Sequence, residues 1–279
     1  MLGDNMGRNF VLGVFFIIIV GMLVTCLPLI ASAASSVSFT KTRLAGVSMN
    51  VVTINLNDSN IRVTPAIARR GIGTAESFRS MMRRTRPAAA INGTFFCTRS
   101  LKPTGDIVVD GQLLWKGYLG TAVTIDANNQ VKFIPSRSSS FYKWSDFDRV
   151  MAAGPTLIMR GKTIVMPKAE GFRSNVHFSK RARSAVGLTY NNKLVFITTR
   201  QKIYLRQLAY AMKLLKCVDA AALDGGSSSG LYWKGKLIMN PGRGMTSCLL
   251  VYDDPSRFEE HRGFFYPNST FTGLPLRGS

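Results

Sequence analysis

The chain has 279 residues and carries 36 lysine and arginine residues against 15 aspartate and glutamate residues, a formal net charge of +21. Hydrophobic residues make up 46% and the mean hydropathy is +0.09, which excludes an intrinsically disordered polyelectrolyte and supplies enough apolar side chains for a core. Two histidines and four cysteines argue against a histidine-rich zinc site and against a scaffold built on disulfides. The charge predicts an anionic partner.

The N-terminal segment has the composition of an export signal. Arg8 precedes an apolar run from Phe10 to Thr25, and Pro28 and the small residues Ala31-Ser32-Ala33 follow it. We therefore predict a signal peptide over residues 1–33, which places the folded part in the periplasm, outside the cell or on the outer face of the membrane. An uncleaved anchor stays the alternative, because the apolar run is long enough to span a bilayer.

The positive charge belongs to the part of the chain that follows the signal. Residues 1–33 contain Asp4 and Arg8, one charge of each sign, so their removal leaves +21. An exported basic protein is expected to meet anionic envelope polymers or lipids rather than nucleic acid. We expect contact with a membrane only through an uncleaved N-terminus or through surface charge.

Short β-type runs flank compact turn sequences along the rest of the chain. The turns lie at Asp110-Gly111, Asn128-Asn129, Arg160-Gly161, Asn191-Asn192 and Lys234-Gly235. Turn dipeptides between apolar or alternating runs predict β-hairpins, and hence a mixed, largely antiparallel sheet.

Two segments are predicted to be helices. The first runs from Ala75 to Thr85 after Thr74, a residue suited to an N-cap. The second runs from Ile203 to Lys216, and its apolar side chains form one stripe that we expect to face the core. The stripe consists of Leu205, Leu208, Met212 and Leu215.

These elements predict the α+β class, with a few helices packed on the sheet. Residues 34–254 are expected to form a single domain, and residues 255–279 a loosely ordered C-terminal tail. Among the three cysteines of the exported part, Cys97, Cys217 and Cys248, we favour a Cys217–Cys248 disulfide.

The clearest local signal is an aspartate at the end of an apolar run, followed by glycines and serines. Leu223-Asp224 precedes Gly225-Gly226-Ser227-Ser228-Ser229. Glycines let the backbone approach a ligand closely, and successive N–H groups form a concavity that binds anions. Asp-Gly-Gly is also common in ordinary turns, so this sequence alone leaves both interpretations open.

Three other segments carry polar groups at the ends of apolar runs. Asn92-Gly93 ends one run and precedes Phe95 and Phe96, a combination that suits a sugar. Arg183 comes directly before another run, where its planar guanidinium could bind phosphate. Glu170 lies in a Glu-Gly-Phe sequence too short to interpret by itself.

Taken together, the segments resemble the phosphodiester glycosidase domain family. Motifs in the order and spacing of the family extend over roughly Asn50 to Asp253. Ser227 stands where many members have a third glycine. The motifs are Asn92-Gly93-Thr94-Phe95-Phe96, Gly105-Asp106-Ile107-Val108, Gly154-Pro155, Arg183-Ser184-Ala185-Val186-Gly187 and Leu223-Asp224-Gly225-Gly226-Ser227-Ser228.

The resemblance implies hydrolysis of the bond between the anomeric carbon of a sugar and a phosphodiester, as in GlcNAc-1-phosphodiesters. It implies that Asp224 supplies the catalytic carboxylate, with Glu170 and Asp106 as the next candidates. Arg183 would neutralise the phosphate, and Asn92 would orient sugar hydroxyls. The substrate-binding set would be Thr94, Phe96, Asp106, Gly225, Gly226, Ser227 and Ser228.

We expect neither a metal site nor a cofactor, although Ca²⁺ or Mg²⁺ on carboxylates stays open. His177 is more readily explained as a hydrogen-bonded structural residue than as a zinc ligand. A serine hydrolase using Ser227 or Ser228 is disfavoured, since it needs a histidine base and the chain contains only His177 and His261.

The expected partner is a glycosyl phosphate or an anionic envelope polysaccharide. The alternative function is a non-enzymatic module that binds anionic polysaccharide or lipid at the cell envelope. The sequence leaves the oligomeric state open.

Overall fold

The computed structural model describes residues 35–136 and 144–267, and the strands of this part form three sheets. The first sheet has seven strands, in the order β1 (Val37–Leu44), β2 (Val47–Asn55), β13 (Lys193–Ile203), β12 (Arg181–Thr189), β14 (Cys217–Leu223), β10 (Thr156–Met159) and β11 (Lys162–Thr163). The second has five, in the order β16 (Lys236–Met239), β15 (Leu231–Trp233), β4 (Ala89–Asn92), β17 (Ser247–Tyr252) and β3 (Arg62–Ile67). The third also has five, in the order β6 (Gln112–Trp115), β5 (Ile107–Val109), β9 (Arg149–Ala152), β7 (Thr121–Ile125) and β8 (Val131–Pro135).

The predicted hairpins are confirmed. Each of the five turn sequences joins two strands that pair with each other, and every strand pair within the described residues is antiparallel. Asp110 and Gly111 both have positive φ angles, 52° and 72°. This left-handed backbone matches the right-handed twist of the flanking strands, which is why a two-residue turn can close a hairpin there. The α+β class follows from these sheets and from three short helices within residues 35–136 and 144–267.

The first helix, α1 (Phe78–Thr85), begins three residues later than predicted. Ser77 is its N-cap and accepts a hydrogen bond from the Ser80 backbone N–H at 3.1 Å. Residues before it cannot be helical, because Glu76 pairs with Met245 in an antiparallel bridge. Thr74, the expected cap, instead donates its hydroxyl to the Gly71 carbonyl.

The second helix, α2 (Leu205–Leu214), is shorter than predicted at both ends. Ile203 belongs to β13, and Lys216 adopts a positive φ of 63° that the helix cannot continue through. The predicted stripe is confirmed: Leu205, Leu208 and Met212 are buried against one face of the first sheet, and Leu215 is packed beside them.

The segment after Asp254 differs from the loosely ordered tail that we expected. Asp254 caps a helix, α3 (Pro255–His261), by accepting hydrogen bonds from two backbone N–H groups. The physical reason is aromatic packing, because Phe258 and Phe265 are buried together against Tyr252. Residues 268–279 and the predicted signal peptide lie outside the described residues. No helix within the described part is long and apolar enough to cross a membrane.

The main core lies between the sheets and draws side chains from all three, among them Phe196, Ile91 and Val123. Two smaller clusters lie under the helices, one beneath α2 and one beneath α1 and α3. Cys217 belongs to the first of these clusters and Cys248 to the second, and both thiols are free. The expected disulfide between them is therefore wrong. The described residues from Ser36 onward belong to one compact unit.

Candidate active site at the ends of β14 and β4

The candidate site begins where β14 leaves the first sheet. This strand is rich in alanine and buried, and Asp224 follows its last residue, Leu223. Ser184 of β12 lies opposite Leu223 in the antiparallel register. Because the chains run in opposite directions, the residue before Ser184, Arg183, lies opposite Asp224. The register therefore brings together two of the predicted residues that are far apart in sequence.

Asn92 joins this strand end to the second sheet. Its Nδ2 donates a hydrogen bond to the Asp224 carbonyl at 2.7 Å, and its Oδ1 accepts one from the Gly230 N–H at 3.0 Å. The Asp224 N–H in turn donates to the Gly93 carbonyl at 3.2 Å. The Asn92 side chain is fully buried and does not line the cleft described below, so its contacts fix the two ends of the Asp224 loop.

The Asp224 carboxylate lies in a buried cage of donors. Arg243 Nη2 contacts its Oδ2 at 2.8 Å, and the Gly225 N–H donates to its Oδ1 at 2.9 Å. Arg243 Nε also donates to Ser228 Oγ at 2.6 Å, and the guanidinium lies 4.6 Å from the Phe96 ring centroid. Burial raises the pKa of Asp224 above its ordinary value, while hydrogen bonds from Ser228 and the charge of Arg243 act against that rise.

A cleft of about 890 Å³ opens above this carboxylate. Its charged lining residues within the described chain are four arginines and one acid, so the cleft is strongly positive. The arginines are Arg173, Arg181, Arg183 and Arg243, and the acid is Asp224. Such a lining attracts an anionic ligand and leaves one carboxylate to act on it.

Arg183 is a buried cation that has no carboxylate partner in the described part of the chain. The side chain is only 2% exposed, and its hydrogen bonds go to backbone carbonyls. Nε donates to the Ile203 carbonyl at 3.2 Å, and Nη2 donates to those of Val176 and Ser179 at 3.0 and 2.6 Å. Burial lowers the pKa of Arg183 to about 10, with Arg181 adding to the effect, so it stays charged at neutral pH. An anion bound in the cleft would neutralise the positive charge of Arg183.

An aromatic wall closes one side of the cleft. The ring of His177 lies 4.8 Å from both Phe95 and Phe172, measured between centroids. Gly154 makes room for Phe95, because a Cβ there would lie 2.2 Å from the Phe95 ring. Burial, followed by the charge of Arg183, lowers the pKa of His177 to about 4, so the imidazole is neutral at pH 7. Its buried Nδ1 has no hydrogen-bond partner among the residues that the structure describes.

Several predicted site residues lie away from the cleft. Asp106 is buried and accepts hydrogen bonds from Trp144 Nε1 at 2.6 Å and the Gly117 N–H at 2.6 Å. Glu170 accepts hydrogen bonds from the N–H and hydroxyl of Thr156, at 2.9 and 2.8 Å. Neither carboxylate reaches the ligand space, and these contacts fix the surrounding loops instead.

The remaining predicted residues divide in the same way. Phe96, Gly225, Gly226 and Ser227 line the cleft. Thr94 is buried, and its hydroxyl has no hydrogen-bond partner in the described part of the chain. Ser228 is buried beneath the cleft, where it contacts Arg243. The catalytic and substrate-binding roles of all these residues stay predictions.

Sequence reasoning missed Arg243 and treated His177 as an ordinary polar residue. Arg243 lies between two glycines, in Gly242-Arg243-Gly244, and this cation in a glycine-rich turn is the signal that the sequence offered. His177 had no signal, because its neighbours in space, Phe95 and Phe172, are distant in sequence. No group of three or more histidine, cysteine, aspartate or glutamate residues that could hold a metal ion occurs within residues 35–136 and 144–267.

Solved structures share this fold. A hypothetical protein from Synechocystis matches with a TM-score of 0.67 and 17% identity, over 79% of this chain and 64% of that one. This chain therefore spans less than two thirds of the length of that protein. The catalytic domain of zebrafish N-acetylglucosamine-1-phosphodiester alpha-N-acetylglucosaminidase matches with a TM-score of 0.64 and 18% identity, over 79% of this chain and 85% of the domain. At these identities the likeness shows the fold. No curated protein matches the sequence.

The family itself is identified by a sequence model. The model described as phosphodiester glycosidase matches residues 85–252, which is more than half of the chain. The matched range contains Asn92, Arg183, Asp224 and Arg243, and so includes the whole arrangement described above. The chain therefore belongs to the phosphodiester glycosidase family, a family of hydrolases that act on phosphodiester-linked sugars.

Proposed function

We propose that this protein hydrolyses the bond between the anomeric carbon of a sugar and a phosphodiester, of the GlcNAc-1-phosphodiester type, in an envelope glycan. The observation that carries the proposal is the pairing of two buried groups in one cleft. Arg183 is a cation without a carboxylate partner among the described residues, and Asp224 is the one acid that lines the described cleft. A phosphate placed against the first leaves a sugar carbon near the second.

The reaction needs two kinds of electrostatic help. As the bond to the phosphodiester oxygen breaks, positive charge develops at the anomeric carbon and negative charge on the leaving phosphate. Asp224 in its ionised form would stabilise or attack the carbon, and Arg183 would stabilise the phosphate. The group that leaves is a phosphate monoester, which is a good leaving group, so the cleft has little need of a strong acid, in keeping with a neutral His177.

Arg243 and the glycine loop would prepare Asp224 for this role. Burial favours the neutral carboxyl, which cannot act on a cationic centre, and Arg243 at 2.8 Å favours the ionised form. Gly225 keeps the loop close to β12, since a Cβ there would lie 2.7 Å from the Ala182 carbonyl oxygen. The loop is therefore held beside Arg183 at a distance that no larger residue allows.

We place the reaction outside the cytoplasm, in the periplasm, outside the cell or at the outer membrane face. The support is the signal-like sequence of residues 1–33 and the +21 charge of the chain, which suits an anionic polymer. Fractionation of cells that express a C-terminally tagged protein tests this placement. Tag found only in the cytoplasm, at full length, would contradict it.

The catalytic proposal is tested with purified protein on an α-GlcNAc-1-phosphodiester and on a p-nitrophenyl glycoside. We expect cleavage of the phosphodiester, and a fall in kcat of at least about 100-fold in Asp224→Asn. Arg183→Lys should lose a similar factor, because a lysine cannot reproduce the planar fork. Asp146→Asn, which changes an exposed carboxylate away from the cleft, is the matched control and should keep full activity.

The same variants separate an enzyme from a binding module. A catalyst with Asp224→Asn should lose turnover and still bind the phosphodiester. A folded wild-type protein that binds the ligand and never cleaves it would establish the binding module instead.

A further inference from the structure

A second open space adjoins the candidate active site. It measures about 580 Å³ and is lined by Lys168, Arg173 and Phe178; we call it the side groove. Arg173 lines both this groove and the catalytic cleft, so the two spaces meet at its side chain. Ligand pockets of about 300–1,000 Å³ suffice for a small molecule, so the cleft alone has room for a sugar phosphate. The side groove is additional space along the same surface.

The segment that builds the side groove is rich in unpaired positive charge. Between β11 and β12, Lys168 and Arg173 are exposed and pair with no carboxylate within the described residues. The acid in this segment, Glu170, accepts hydrogen bonds from Thr156 and lines neither space. Among the described residues, the cationic wall of the cleft therefore continues into the groove without a carboxylate that pairs with it.

Exposed aromatic rings accompany these charges. Phe178, in the side groove, is 46% exposed, and Tyr118, on the rim of the cleft, is 70% exposed. An aromatic face in water suits the apolar face of a sugar ring, as an arginine suits its phosphate. Each exposed ring lies among charged side chains, whereas a lipid chain requires a continuous apolar patch. This mixture of cationic and aromatic side chains suits a ligand that carries both sugars and phosphates.

We propose that the side groove binds the part of the substrate beyond the scissile phosphodiester, so that the natural substrate is a glycan chain with repeated sugar phosphates. Arg173 and Lys168 contact phosphates of the following units, and Phe178 stacks on a sugar between them. This inference rests on the proposed function and extends it from one bond to the polymer that contains the bond. It accounts for cations that a single phosphate at Arg183 does not need.

The test compares a short and a long substrate. Wild type and the double variant Lys168→Gln/Phe178→Ala are assayed on the methyl phosphodiester of α-GlcNAc and on a synthetic oligomer of GlcNAc-1-phosphate units. We expect the double variant to lose about tenfold in kcat/KM on the oligomer and to keep its rate on the methyl diester, since it removes one charged contact and one stacking contact that lie in the side groove alone. Phe178→Ala should show the same selectivity with a smaller loss. The control Lys132→Gln/Lys213→Gln removes two exposed charges that line neither space and should leave both rates unchanged.

Binding of the same oligomer to Asp224→Asn protein, with and without the groove substitutions, separates the two proposals. If wild type cleaves neither substrate while the groove substitutions still weaken oligomer binding about tenfold, the proposed reaction is wrong and the inference that the side groove binds the glycan chain is kept. If the double variant cleaves and binds the oligomer as well as wild type does, the groove inference is wrong whatever the reaction. Equal losses on both substrates would also overturn it, because they would place these side chains in the catalytic cleft.

Discussion

His177 offers a quantitative test of how buried the aromatic wall of the cleft is. Its pKa falls from 6.5 to about 4 in the folded protein, chiefly through burial. Below pH 6.5 the unfolded chain therefore binds a proton that the folded chain does not, so the free energy of unfolding falls as the pH drops toward 4 and is unaffected above 6.5. From these two pKa values the loss between pH 8 and pH 5 is about 2 kcal/mol.

Substitution by phenylalanine isolates this contribution. His177→Phe keeps a ring between Phe95 and Phe172 and removes the titrating group. Urea unfolding of both proteins at pH 8 and pH 5 gives the difference in stability at each pH, and the variant should lose about 2 kcal/mol less than wild type between them. The comparison at pH 8, where both side chains are neutral, is the internal control for packing. Equal losses of unfolding free energy in the two proteins would refute the reasoning, because they would mean that His177 is protonated as readily in the folded protein as in the unfolded chain.

Three further predictions follow from the site and its surroundings. Arg243→Gln removes the charge that favours ionised Asp224, so the acidic limb of the kcat/KM profile should move to higher pH. An unmoved limb would mean that Asp224 does not control it. Gly93→Ala should lower the free energy of unfolding by about 3 kcal/mol in a urea titration, since its Cβ would lie 2.7 Å from the Ser247 carbonyl carbon. An unchanged free energy would mean that β4 and β17 can separate without cost. Cys97 is exposed, and hydrogen bonds from Ser100 lower its pKa to about 7. It should therefore react with iodoacetamide at neutral pH well before the two buried cysteines. Mass spectrometry of the peptides gives the order of labelling, and earlier labelling of a buried cysteine would contradict the prediction.

The sequence contained the information for the hairpins and for the buried face of α2. Turn chemistry at Asp110-Gly111 and the stripe that includes Leu208 are local properties, and the structure reproduces both. The start of α1 is different, because Glu76 is drawn into a bridge with the distant residue Met245. The C-terminal helix was missed for a similar reason: Phe258 and Phe265 become core residues only when the sheet beside them exists.

The site shows the same division. Asp224 and Arg183 were identifiable because each adjoins an apolar run, and the register that pairs Ser184 with Leu223 then brings them together. Asp106 was selected through the family resemblance, and its carboxylate turns instead to Trp144 and Gly117. A motif fixes where a side chain lies along the chain, whereas hydrogen-bond partners from other strands decide which way it points. Arg243 reaches the carboxylate from a turn outside the motifs, and its position between two glycines marks a cation in a turn without indicating which carboxylate it contacts.

The hydrogen bonds of Asn92 also have a consequence for the chemical ageing of the protein. Asn-Gly is the sequence most prone to deamidation, in which the glycine backbone nitrogen attacks the asparagine Cγ, ammonia leaves, and the cyclic imide hydrolyses to aspartate or isoaspartate. Here the Gly93 N–H donates to the Ser247 carbonyl at 2.9 Å, and the Asn92 amide is held at both ends, so the attacking and attacked atoms are immobilised. In the unfolded chain that restraint is lost. Each unfolding event thus exposes the protein to a reaction that would replace an N–H donor with a carboxylate facing the Asp224 carbonyl oxygen.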